Sequence, residues 1–85
     1  MRPYKVLITY EVLSLSRPSA QDRHRILSFL ESLCTDPFQQ GDYEEKDDTA
    51  RSVQIKIIGK YALTFWADHA VSEVKVTRIE KADRR

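Results

Sequence analysis

The stretch SVQIKIIGKYALTFWADHAVSEVKVTRIEK, from Ser52 to Lys81, constrains this chain most. Apolar and polar side chains alternate along it with the period of two that marks half-buried strands, interrupted near Gly59 and near His69. Three consecutive strands joined by short turns are expected. One helix precedes them. In QDRHRILSFLESLC, Ile26, Leu30 and Leu33 recur at helical spacing, and Leu27 and Cys34 widen the stripe. Ser19 followed by Asp22 resembles a capping box, with Asp shorter than the preferred Glu. Asp36-Pro37 stops the helix, because a residue before proline avoids the α region. The helix is placed from about Ser19 to Cys34.

Ahead of the helix, YKVLITY from Tyr4 to Tyr10 reads as a strand, with Tyr4, Val6, Ile8 and Tyr10 on one face. Glu11 to Leu15 either prolongs that strand or forms a short helical turn. The chain has 85 residues, which suits one domain over 1–85. The expected fold is α+β: a small antiparallel sheet of about four strands in the order β-α(α)-β-β-β, with the helix packed on one face.

The alternation assigns Val53, Ile55, Ile57, Leu63, Phe65, Val74 and Val76 to the helix side. Gln54, Lys56, Thr64, Trp66, Lys75 and Thr77 fall on the other. A two-residue Gly59-Lys60 loop would pair Ile58 with Tyr61 and set Ile57 beside Ala62. A three-residue loop, or a bulge near Gly59, keeps the apolar sets together and is the expected turn. In the last strand Ile79 breaks parity and Arg78 falls on the core side, so an end or a bulge is expected near Thr77–Arg78. The tail KADRR is expected to fray.

Charge is segregated although the net is only +1. Residues 1–35, 36–50 and 51–85 carry local balances of +2, −5 and +4. The acidic segment Phe38 to Ala50 reads as a loop, either mobile and functional or, preferred here, a surface loop pinned by Phe38 and Tyr43. The basic final third either attracts phosphate or solubilises the open side of a sheet. Lysines with one large aromatic, Trp66, suit nucleic acid, since phosphate meets Lys and a base stacks on Trp. Trp66 packing under the acidic loop or a partner chain is the alternative.

Several functions find no support. The chain has no apolar run of membrane length, and its N-terminus does not read as a signal peptide. Cys34 is the only cysteine, which fits a reducing cytoplasm and a small core residue. His24 and His69 have no metal-ligand spacing, and two glycines cannot make a phosphate loop. No metal and no cofactor are expected.

The succession of strand, helical segment, amphipathic helix, acidic loop, then IKIIGKYALTFWA and VKVTRIEKADRR, resembles the RelE/ParE superfamily, the small toxins of bacterial type II toxin–antitoxin pairs. The resemblance spans nearly the whole chain. Its most specific piece is GKYALTFW, Gly59 to Trp66, similar to the family's glycine, any residue, tyrosine, arginine pattern followed by alternating apolar residues. The resemblance implies a curved antiparallel sheet with helices on one face and an antitoxin segment that wraps and neutralises the toxin. In the RelE-like branch it implies cutting of messenger RNA on the ribosome without a metal, with lysines and arginines holding the phosphate. The ParE-like branch inhibits DNA gyrase instead. A non-toxic RNA-binding or scaffold module is a further alternative.

Carried onto this sequence, the resemblance gives Lys56, Lys81 and Arg78 as candidate catalytic cations. Gln54, Lys56, Trp66, Lys75, Arg84 and Arg85 are the candidate RNA-binding residues. Tyr61 is a remote acid–base candidate and, by parity with Leu63 and Phe65, a core residue first. The chain departs from the pattern at Gln54, where lysine is frequent, and at Ala62, where the hairpin arginine is expected. The place of the terminal tyrosine is not reached. Each lost cation that meets transition-state charge removes about 100-fold or more in rate. The scaffold therefore reads as retained and the nuclease site as weakened or absent.

Overall fold

The computed structural model describes residues 3–8 and 19–82. Among these residues five strands and one helix follow in chain order: β1 (Lys5–Ile8), α1 (Ala20–Thr35), β2 (Tyr43–Lys46), β3 (Ser52–Ile58), β4 (Tyr61–Asp68) and β5 (Glu73–Lys81). They form one sheet in the order β1-β5-β4-β3-β2. All neighbours are antiparallel except β1 and β5, which run parallel. The class is α+β as expected, but the sheet is mixed and has five strands. Thr9 and Tyr10 of the expected first strand, the segment Glu11 to Leu15, and Arg84 and Arg85 lie outside the described residues.

Helix α1 starts and stops where the sequence says. Ser19 is its N-cap: the Asp22 backbone N–H donates to Ser19 Oγ at 3.1 Å, satisfying one of the donors a helix start leaves unpaired. At the other end the Asp36 N–H donates to the Ser32 carbonyl at 2.9 Å. Ile26, Leu30 and Leu33 are buried against the sheet. Leu27, expected to widen the stripe, is 45% exposed. Phe29 takes the flank instead, its ring edge-on to Phe65 at 5.5 Å. The helix residues meet Ile58, Tyr61, Leu63, Phe65, Val74, Val76 and Ile79 in one core. Val6 and Ile8 of β1 pack on it from the side, as the parity of that strand requires.

The hairpin at Gly59 corrects the expected register. Ile58 pairs with Tyr61, Ile57 with Ala62 and Lys56 with Leu63, so the turn has two residues. Gly59 has φ +58, and the first position of a two-residue hairpin turn favours glycine for that conformation. With that register, β3 is turned over relative to the sequence reading. Gln54, Lys56 and Ile58 share the helix side with Phe65, Leu63 and Tyr61; Ile55 and Ile57 share the far face with Thr64 and Ala62. The turn chemistry won over the longer apolar alternation because Ile58 supplies β3's contribution to the core. Val53 and Ile55 nonetheless remain 3% and 2% exposed on the far face.

The irregularity near Thr77–Arg78 is a bulge. Thr64 pairs with Arg78 and Phe65 with Val76, leaving Thr77 as the extra residue of β5. It restores Ile79 to the core beside Leu63 and turns Arg78 to the far face with Thr64.

The acidic segment is not a plain loop. Four of its residues form β2, an edge strand paired with β3 from Tyr43↔Ile55 to Lys46↔Ser52. Edge strands resist further pairing when charged, and Glu44, Glu45 and Lys46 are all exposed. Phe38 does anchor, but by stacking on His69 with ring centroids 4.7 Å apart. No helix among the described residues is long and apolar enough to cross a membrane.

Candidate functional site

The far face of the sheet carries a cleft of about 340 Å³. Val53, Ile55, Thr64 and Thr77 make its floor; the β2–β3 turn forms one wall and Arg78 with Glu80 the other. The turn is held by one carboxylate. Asp47 Oδ1 accepts from the Thr49 N–H at 2.9 Å, the Thr49 hydroxyl at 2.8 Å and the Arg51 N–H at 2.9 Å. Ala50 takes the left-handed conformation that closes the loop, φ 62. The Thr49 hydroxyl, then the Arg51 N–H, hold the Asp47 carboxyl below its ordinary value of 3.8.

That shift has a pH consequence with a definite sign. A carboxyl whose folded pKa is depressed stabilises the structure above its unfolded value, and the contribution is lost as pH falls through the folded one. The 47–51 turn is therefore expected to loosen below about pH 4. Amide exchange at the Thr49 and Arg51 N–H groups between pH 6 and pH 2 measures it. Asp47→Asn should remove the pH dependence in this turn; an unchanged profile in that variant would refute the assignment.

Arg78 is the only one of the three candidate catalytic cations that reaches the far face. It is exposed, and its guanidinium lies 3.9 Å from Glu80. Lys56 stands on the helix side, 3.9 Å from Asp42 and 5.8 Å from the Phe29 ring. Lys81 pairs with Tyr61, which puts it on the helix side as well. Tyr61 itself is in the core, 7% exposed. The sheet thus separates Arg78 from Lys56 and Lys81. The cleft around Arg78 is rich in carboxylates: Glu45, Asp47, Asp48 and Glu80 line it, against Lys46 and Arg78.

The candidate RNA-binding residues divide in the same way. Trp66 and Lys75 pair across β4 and β5 on the far face, with Lys75 Nζ 5.0 Å from the indole ring and 3.1 Å from Asp68. Gln54 is on the helix side; its Oε1 accepts from the Gly41 N–H at 2.8 Å. Gln54 and Trp66 nevertheless line one further hollow, of about 440 Å³, at the end of the sheet where β4 leaves and β3 enters. Sequence reasoning missed two residues there. Arg51 places its guanidinium 3.9 Å from the Trp66 ring centroid, and His69 backs Phe38. The available signals were a basic residue directly after the acidic run and an isolated Phe in a polar segment.

No protein-family model matches the chain, and no curated protein matches it. Solved structures do. The chain is similar to one in the archaeal RelE–RelB complex from Pyrococcus horikoshii OT3, with a TM-score of 0.79, 16% identity and 100% of both chains covered. It is also similar to one in the toxin–antitoxin complex RelBE2 from Mycobacterium tuberculosis, with a TM-score of 0.71 and 19% identity, covering 93% of this chain and 98% of that one. The fold of the described residues is RelE-like.

Proposed function

We propose that this chain is the toxin member of a type II toxin–antitoxin pair and that its principal activity is binding an antitoxin. The observation that carries this reading is the full-length likeness, with no part of either chain left over, to a chain solved within a RelE–RelB complex. A second likeness, to a chain of a toxin–antitoxin complex, supports it. Co-expression with the product of an adjacent small open reading frame tests it. A stable complex that co-purifies is the expected result; a monomeric chain with no bound neighbour product would remove the reading.

Cutting of messenger RNA is proposed only in weakened form. A phosphoryl-transfer site needs several cations on one side of the scissile group. Here Arg78 is the one candidate catalytic cation that faces the cleft, four carboxylates line it against Arg78 and Lys46, and Ala62 and Gln54 stand where the family pattern has cations. Strong induction is expected to give slight ribosomal A-site cutting. Arg78→Ala should lower it by about 100-fold. Lys56→Ala should lower it no more than about three-fold, because Lys56 faces Phe29 and Asp42 across the sheet from Arg78. Equal losses in the two variants, read by primer extension on a reporter message, would contradict this division.

A further inference from the structure

The far-face cleft and the hollow at the end of the sheet have opposite electrostatic character. The far-face cleft has four carboxylates on its walls. The hollow at the end of the sheet, about 440 Å³, is lined by Arg51, Trp66, His69, Phe38 and glutamines, with no Asp or Glu among its lining residues. An anion is repelled by the first and accepted by the second. The second also has what the first lacks, aromatic surface. Phe38 is 63% exposed, the largest exposure among the big apolar side chains of the described residues. Its ring lies on His69 with 13° between the planes, so the pair forms a supported, flat platform. Tyr4 fixes the platform from beneath: its hydroxyl is 2.8 Å from His69 Nδ1, and its ring is tilted against both neighbours.

From this juxtaposition we propose that the end of the sheet is a binding site for the nucleotides of a single-stranded nucleic acid. In it Phe38 is the stacking surface for a base and Arg51 the partner of the adjoining phosphate. Arg51 has capacity for that role. A guanidinium carries five N–H donors, and the Asp47 carboxylate takes one, at 3.5 Å. Its flat side rests on Trp66, which orients the fork without using its donors. Of the rim amides, Gln54 is engaged with the Gly41 N–H and Gln39 with Ser32 and Asp36, so a base edge falls to the exposed Gln40, whose amide offers both a donor and an acceptor. A duplex cannot use the platform, because its bases are stacked on one another already. The site is separate from the far-face cleft and does not depend on the toxin reading.

Trp66, the only tryptophan of the chain, is an internal reporter in the wall of this hollow. The test titrates the purified protein with single-stranded octauridylate and follows Trp66 fluorescence, with the matching deoxy-oligonucleotide, free uridine monophosphate and an eight-base-pair RNA duplex in parallel. Saturable quenching by the single strand is expected. Phe38→Ala should weaken it about ten-fold, as loss of one base-stacking contact does. Arg51→Gln should weaken it and flatten its salt dependence, whereas Lys60→Ala, which removes an equal charge from the remote hairpin turn, should not. Quenching by free uridine monophosphate as well would support a mononucleotide site; quenching by both strands but not by the monomer supports a strand site without sugar selection. Absence of saturable quenching, equal binding of the duplex, or full affinity in both Phe38→Ala and Arg51→Gln would overturn the proposal. Phe38 is mostly in solvent, so the variant is expected to fold, and far-ultraviolet circular dichroism verifies it.

Discussion

Phe65→Ala is expected to destabilise the fold by about 3–5 kcal/mol, the range for emptying a fully buried aromatic site. Phe65 is 1% exposed and sits at the crossing of helix and sheet. Its ring meets Phe29 of α1 at 65° between planes, an edge-to-face pair that adds to simple burial. Its backbone pairs with Gln54 on one side and Val76 on the other, next to the bulge in β5. A chain of this length holds about 4–13 kcal/mol in total, so one such loss takes about a quarter or more of it. Urea unfolding reads the effect as a drop of at least about 1 M in midpoint. Phe65→Leu, which keeps most of the volume, should cost clearly less. A midpoint unchanged in Phe65→Ala would mean that the helix does not close on this side of β4.

Gly41→Ala is expected to cost about 1–3 kcal/mol, the range for forcing extra volume into a closed contact, and to act locally. A Cβ at Gly41 would overlap the Ile55 carbonyl oxygen and lie 2.7 Å from its carbon, and these are backbone atoms of a central strand that cannot swing away. The Asp42 N–H donates to that same carbonyl at 2.7 Å. Asp42 then closes the edge of β3 with its side chain, accepting from the Ile57 N–H at 2.6 Å where β2 has not yet begun. Moving residue 41 outward breaks both contacts and unzips β2. Hydrogen exchange should therefore show lost protection at Asp42, Ile57 and the β2 amides, with α1 and the β4–β5 pair still protected. Uniform loss across the chain would show instead that β2 and the core unfold as one unit.

These two expectations depend on different kinds of information. The Phe65 site is visible in the sequence, because YALTFW alternates cleanly and the helix stripe of Ile26, Leu30 and Leu33 offers a matching surface. The Gly41 site is not. Nothing in QQGDYEEK announces a strand: its residues are charged and amide-bearing, poor strand formers by propensity. It pairs because β3 presents a free edge and Asp42 and Gln54 tie the approach to it. The register of β3 shows the same split. VQIKII supports two alternations, one through Val53, Ile55 and Ile57 and one ending in Ile58, and the pattern alone favours the longer. The two-residue turn at Gly59 selects the shorter. That single choice moves Lys56 and Gln54 to the helix side, across the sheet from Arg78. The bulge was legible in advance because Ile79 could reach the core only if one residue of β5 were spare.

By itself, then, the sequence determined the elements that are amphipathic over their whole length: the capped helix, the strands β3, β4 and β5, and the apolar faces of β4 and β5. Local chemistry is enough for these, since each element carries its own period and its own stop signal. Tertiary structure alone decided which way β3 faces, that an acidic segment becomes an edge strand, and that β1 pairs in parallel with the last strand of the chain. Those outcomes are set by backbone partners distant in sequence, and a backbone N–H or C=O leaves no mark in the side-chain pattern of the residue that carries it.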